Sequence, residues 1–360
     1  MSVRRLLILV FAAVSALLLM PAAGQAALEY GLQAERLGSQ TLSEAEVHRM
    51  RQARVDFIRT PFEWEIAQGS GPDQEYDFTN FDRLMDWATE GDLPQIEILP
   101  TLIGTPSWVK GAKTNNYPPT TPQDLERWAD FVTAIVDRYG KNGPIEAWQV
   151  WNEPNLNNFW DGTPNVREYA KFLDFTDKAI RRGDPSALTV LAGMPQRPDA
   201  PKPQAEYLEP LYKVKGVKND FDVVATHPFA NTKRQLIESV QLIRDLMDDA
   251  KDKNTPLWIT ETGFASAGPP HPFRRTPAGQ AKILEQVLTD LRSKSRRLKL
   301  EKVVWFSWRD ADTDPPIAES NNRWQTYSGL FTFGGEPKPA WPAFVELTGG
   351  DPGEGAVAIP

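Results

Sequence analysis

The chain has 360 residues, with 48 acidic against 40 basic side chains for a formal net charge of −8, and it contains no cysteine. The acidic balance argues against nucleic acid or an anionic lipid surface as the main partner, and the lack of cysteine excludes disulfides and thiolate metal sites. Twelve tryptophans stand out in an otherwise polar composition; most belong in a core, but aromatic faces also stack on the apolar faces of ligands, so their positions matter.

Arg4 and Arg5 precede an apolar run from Leu6 to Met20, followed by Pro21 and the small residues Ala22, Ala23, Gly24 and Ala26. This order predicts a secretory signal peptide over residues 1–26, cleaved near Ala26, and therefore an exported protein, extracellular or periplasmic. A membrane anchor is the alternative, but a spanning helix needs about 20 apolar residues and this run is shorter. No later apolar run is long enough to span a bilayer. The remainder is predicted as one domain over residues 27–348 with a flexible tail over 349–360.

From Leu28 onward, short apolar segments alternate with longer amphipathic ones. Strands are expected at "LEYGLQ" (from 28), "VDFIRTPF" (55), "QIEILPTL" (95), "IEAWQVWNE" (145), "LTVLAG" (188), "FDVVATHPF" (221), "LWITETGF" (257) and "KVVWFSW" (302). Helical spacing appears in Phe81, Leu84, Met85 and Ala88, in Trp128, Phe131, Val132 and Ile135, and in Leu236, Val240, Ile243 and Leu246-Met247. Ser43 with Glu46 predicts a capping box, and Thr121-Pro122 an N-cap with proline in the first turn. Gly91, Gly140 and Gly183 are expected to stop helices. Eight apolar strands alternating with helices predict a closed (β/α)8 TIM barrel rather than an open doubly wound sheet. The phosphate-binding patterns G-x-G-x-x-G and G-x-x-x-x-G-K are absent, so a nucleotide-binding reading lacks its motif. The proline-rich stretches at 197 and 267 follow strands and are expected as loops at the barrel mouth.

In such a barrel the C-terminal strand ends form one concave face. Glu153 ends the fourth expected strand and Glu261 the seventh, so two carboxylates meet at one mouth. Simple alternation puts Leu257, Ile259 and Glu261 on one face, carrying the carboxylate to the top of an aliphatic interior. Each glutamate alone is compatible with a turn or a helix cap; a pair on a counted eight-strand frame points to chemistry.

The segments "WNEP" at the end of strand four, "TETG" at the end of strand seven and "WFSW" on strand eight resemble clan A of the retaining glycoside hydrolases. "TPSW", "HPF" and "WNEPNLNNFW" are similar to its β-xylosidase- and α-iduronidase-like branch, with cellulase-like families as the neighbouring possibility. The resemblance implies Glu153 as acid/base and Glu261 as nucleophile. It implies Arg59 beside the nucleophile, Asn152 on a sugar 2-hydroxyl and His227 in the sugar site. Trp308 is expected to stack on the sugar at the cleaved bond, with Trp108 and Trp160 lining the cleft farther out; Trp151 is expected in the core. The substrate implied is an oligo- or polysaccharide, with no cofactor. Many clan members carry a tyrosine two residues after the strand-six histidine; this chain has Phe229, leaving Arg59 or a loop hydroxyl to serve the nucleophile. The rivals are a metal-dependent hydrolase, for which His48 and His271 are poorly placed, a carbohydrate-binding barrel without catalysis, and a transglycosylase using the same two glutamates.

Overall fold

The computed structural model describes residues 27–34, 42–109, 111–112, 114–141, 143–196, 203–312 and 323–359. The signal peptide expected at 1–26 lies outside them, as do 197–202 of the first proline-rich loop. The strands are β1 (Glu29–Gln33), β2 (Phe57–Glu63), β3 (Glu97–Ile103), β4 (Ala147–Val150), β5 (Leu188–Val190), β6 (Val224–Thr226), β7 (Leu257–Thr262) and β8 (Leu300–Trp305). They pair in parallel in the order β5-β4-β3-β2-β1-β8-β7-β6. A parallel bridge between Val190 and Val223 joins the two ends of that series, so the sheet closes into the expected barrel.

The helices cover the outside as their periodicity dictates. Phe81, Leu84, Met85 and Ala88 are buried from the helix Thr79–Thr89, and Trp128, Phe131, Val132 and Ile135 from Pro122–Tyr139. Ser43 and Glu46 form the reciprocal capping box, with Ser43 N donating to Glu46 Oε2 at 2.8 Å. Gly183 is the last residue of its helix, Val166–Gly183, rather than a residue beyond it. Its role is close approach: a Cβ there would lie 2.7 Å from Val136 Cβ of the neighbouring helix.

A separate apolar cluster fills the barrel interior with Phe57, Leu99, Ala147, Val190, Val223, Ala225, Trp258 and Val304. Trp258, not Leu257 or Ile259, is the inward residue of β7, and those two pack outward against the helix layer. The face expected from simple alternation is therefore corrected. Between β7 and β8 the register runs Ile259↔Val303 and then Thr262↔Trp305, so β7 carries one extra residue there. This bulge reverses the phase of the strand and brings Glu261 to the mouth by a route that alternation does not supply. At the opposite end Lys302 is buried, bonded to Glu29 and to Glu97 (2.6 Å) and lying over the rings of Phe57 and Trp258.

Along 351–359, within the tail expected to be flexible, the chain contacts the helices Glu44–Gln52 and Ala340–Thr348. Arg49 donates to the carbonyls of Pro352, Glu354 and Gly355, Trp341 Nε1 to Pro352 O at 2.8 Å, and Val357 is buried. Among the described residues no helix is long and apolar enough to cross a membrane.

Candidate active site

Above the apolar interior the inward side chains become polar at one level. Arg59 follows Phe57 by two residues, Thr101 follows Leu99, Gln149 follows Ala147 and His227 follows Ala225, which is the strand period applied to each inner face. Arg59 and Thr101 line a cavity of about 430 Å³, whose wall also includes Gln33, Asn152, Glu153, Phe229, Glu261 and Phe306, while Gln149 and His227 are fully buried behind them. Sites of ~300–1,000 Å³ are the usual size for small-molecule recognition.

Arg59 is only 2% exposed. Burying a guanidinium is costly unless its donors are met, and here they are: Nε donates to Gln149 Oε1 (2.7 Å), Nη1 to Gln33 Oε1 (2.5 Å) and Glu261 Oε1 (2.7 Å), and Nη2 to Asn152 Oδ1 (2.9 Å). One arginine thereby fixes residues from β1, β4, the segment after β4, and β7. Because an arginine can only donate, Asn152 must present its oxygen to Arg59, which leaves its amide N–H groups to face the cavity.

The segment after β4 has an unusual backbone. Trp151 and Glu153 both have positive φ, 70° and 43°, a region that side chains rarely adopt and that costs ~1–3 kcal/mol at each position. Surrounding contacts hold it. Trp151 N donates to Leu102 O (3.0 Å) and Glu153 N to Gly193 O (2.9 Å). The Trp151 ring packs edge-on against Trp128, Trp160 and Phe172, and its Nε1 donates to Phe159 O. Core packing of Trp151, as expected, is what lets Glu153 turn into the mouth.

His227 is fully buried, with Nδ1 2.8 Å from Glu153 Oε1, Nε2 3.0 Å from Thr260 Oγ1, and Nδ1 3.8 Å from Glu261 Oε2. Burial pushes its pKa down to about 4, against an opposing pull from Glu261 and with a further lowering by Arg59. The ring is therefore neutral near pH 7. One oxygen from each glutamate and a ring nitrogen of His227 lie within 4.8 Å of one another. Such a trio has the ligand types for a divalent cation, but the guanidinium 2.7 Å from Glu261 already sets a positive charge there and works against a second one.

Five of the expected residues, Arg59, Asn152, Glu153, His227 and Glu261, thus come together. The three tryptophans expected on the sugar or along the cleft do not. Trp308 is 1% exposed, packs on Phe331 and Trp341 and donates to Glu46 Oε1 at 2.9 Å. β8 ends at Trp305, and beyond it the chain leaves strand alternation, so Phe306 rather than Trp308 lines the cavity. Trp160 belongs to the aromatic cluster beneath Trp151, and it too is 1% exposed. Trp108 is tied outside the cavity wall by its Nε1 to Gln68 O (2.6 Å), edge-on to Trp64. Phe229 lines the cavity as an apolar wall, stacked on Phe273 and edge-on to Trp324, and Arg59 is the donor to Glu261. Sequence reasoning passed over Gln33, Gln149, Thr260 and the cavity residue Trp324; the signal for Gln149 was a lone amide inside the apolar run of β4.

Two curated relatives are β-xylosidases. That of Caldicellulosiruptor saccharolyticus is 27% identical over 293 residues, 75% of this chain and 56% of the relative. That of Geobacillus stearothermophilus is 34% identical over 119 residues, 31% of this chain and 23% of the relative. The chain spans little more than half the length of the first of them. Among solved structures, a family 39 glycoside hydrolase from Bacteroides cellulosilyticus WH2 superposes with a TM-score of 0.69 at 18% identity, over 90% of this chain and 64% of that one. A monomeric β-xylosidase from Caulobacter crescentus CB15 does so with a TM-score of 0.67 at 20% identity, over 89% and 67%. These likenesses carry the barrel fold. The profile of glycosyl hydrolases family 39 matches residues 66–297, and the chain belongs to that family.

Proposed function

We propose that this protein is a retaining glycosidase that cleaves a β-linked oligo- or polysaccharide, with Glu261 as nucleophile and Glu153 as acid and then base. The observation that carries the reading is the spacing of the carboxylates, an oxygen of one within 4.8 Å of an oxygen of the other. Retaining enzymes hold their pair ~5–5.5 Å apart, whereas inverting ones leave ~6.5–9.5 Å for a water.

In the first step Glu261 attacks the anomeric carbon as Glu153 gives its proton to the departing glycosidic oxygen, forming a glycosyl ester on Glu261. In the second, Glu153 takes a proton from water, whose oxygen attacks the same carbon and frees Glu261. Arg59 holds the attacking carboxylate by a bond that directs its oxygens, and the amide of Asn152 suits a sugar hydroxyl whose bond strengthens as positive charge grows in the ring. The names of the relatives make β-xylosides the first substrates to try. The N-terminal leader supports export, which recovery from the medium of a protein starting after Ala26 would test.

A panel of p-nitrophenyl β-glycosides, begun with the β-D-xyloside and followed by proton NMR, should release the β-anomer first. Glu261→Ala should lose essentially all activity and, with azide, form the α-glycosyl azide. First release of the α-anomer, or wild-type turnover by Glu261→Ala, would overturn the mechanism. Oligosaccharide binding without hydrolysis would instead support a non-catalytic barrel.

A further inference from the structure

Beneath the two glutamates runs a chain of buried hydrogen bonds that their chemistry does not itself require. Gln149 is fully buried on β4. Its Oε1 receives Arg59 Nε at 2.7 Å, while its Nε2 faces Leu191 O at 3.2 Å and Thr260 Oγ1 at 3.0 Å. Arginine can only donate and a backbone carbonyl can only accept, so both ends of the Gln149 amide are fixed. Thr260 Oγ1 accordingly accepts from Gln149. Its own hydroxyl hydrogen then points to its other neighbour, His227 Nε2, 3.0 Å away. A neutral imidazole has one N–H. With Nε2 accepting, that hydrogen sits on Nδ1, 2.8 Å from Glu153 Oε1.

We propose that Gln149 and Thr260 are positioning residues which, starting from Arg59, hold His227 as its Nδ1–H tautomer, so that Glu153 Oε1 is always an acceptor and the catalytic proton is carried on Oε2. The inference rests on the retaining-glycosidase reading for its catalytic meaning, but the tautomer itself does not. The same arginine serves both carboxylates, Glu261 directly and Glu153 through three intervening side chains. In the acid step the proton leaves Oε2 for the glycosidic oxygen, and in the base step a water proton returns to Oε2. His227 keeps its proton throughout. Were Nε2–H the form present, Nδ1 would accept, and the proton of Glu153 would be held on Oε1 against the histidine instead of being delivered to the sugar.

The test uses the intact protein. Only three histidines occur in the chain, so long-range proton–nitrogen NMR of ¹⁵N-histidine protein can assign each ring, with His227→Asn identifying its signals. In the wild type His227 should show a protonated Nδ1 and an unprotonated Nε2. Thr260→Val, which keeps the side chain's shape and removes the hydroxyl, should shift His227 toward the Nε2–H form, and Thr260→Ser should restore Nδ1–H. In kinetics, Thr260→Val should lower kcat/KM for p-nitrophenyl β-D-xyloside about ten- to a hundredfold, the worth of the His227 hydrogen bond to the Glu153 carboxylate that the tautomer supports. The loss should be much smaller with the 2,4-dinitrophenyl glycoside, whose leaving group needs no proton, and Thr260→Ser should recover most of it. An Nε2–H ring in the wild type, or an unchanged tautomer in folded Thr260→Val, would overturn the proposal. If no aryl glycoside is hydrolysed at all while the tautomer behaves as stated, the glycosidase reading fails and the relay stands.

Discussion

Gly193 offers the sharpest test of how the site is built, because nothing about its sequence context suggests importance. It lies beside Asn152 in a parallel bridge, and its carbonyl holds the Glu153 amide at 2.9 Å. A Cβ added there would stand 2.0 Å from His227 Nε2 and 2.5 Å from Thr260 Oγ1. To regain an ordinary contact of 3.4 Å the imidazole would have to retreat by about 1.4 Å. His227 is fully buried, so the surroundings must move with it, at a cost of ~1–3 kcal/mol for overpacking. A retreat of that size also breaks the 2.8 Å bond to Glu153. A displacement of ~1 Å at a catalytic group is worth ~100-fold in rate. Gly193→Ala should therefore lose about 100-fold in kcat/KM on p-nitrophenyl β-D-xyloside and unfold at lower urea. Gly334→Ala is the control, since a Cβ there meets only Thr332 Oγ1 at 3.9 Å. Wild-type activity and stability in Gly193→Ala would refute the claim that the approach of this backbone to His227 sets the geometry of Glu153.

Glu153→Ala should turn over p-nitrophenyl glycosides poorly yet still form the glycosyl ester from 2,4-dinitrophenyl glycosides, with the intermediate accumulating to be seen by mass spectrometry of the intact protein. His227 should make folding pH-dependent. With its pKa pushed from 6.5 to about 4 by burial, the unfolded chain takes up a proton between those values that the folded chain refuses. Stability is thus lost as pH falls through that window, by about 3 kcal/mol in all, and urea titrations at several pH values should show His227→Asn with a slope shallower by up to one proton. Lys302→Met leaves Glu29 and Glu97 facing each other at the closed end of the barrel without their cation. It should cost ~3 kcal/mol in urea denaturation, as for other broken buried pairs, with KM unaltered.

Much of this protein follows from its sequence alone. The alternation of apolar strands with amphipathic helices specifies eight βα units, because each period must bury its own stripe. Placing Glu153 and Glu261 at the ends of the fourth and seventh strands needs only a count. Arg59, Asn152 and His227 were legible through the resemblance of their segments to clan A, and Arg59 lies inside β2, two residues from its start, rather than at its end. What the tertiary structure decided is where local periodicity breaks. The bulge in β7 turns Glu261 inward on a strand whose inward residue is Trp258 rather than Leu257 or Ile259, the end of β8 exchanges Trp308 for Phe306 in the cavity, and the positive φ angles at Trp151 and Glu153 are held by backbone bonds from neighbouring segments and by an aromatic cluster. The relay through Gln149 and Thr260 joins residues 111 apart in the chain, and its direction comes from an arginine on a third strand. Patterns within a strand report which face is buried, whereas the choice of hydrogen-bond partner depends on which strands closure of the barrel sets across from one another.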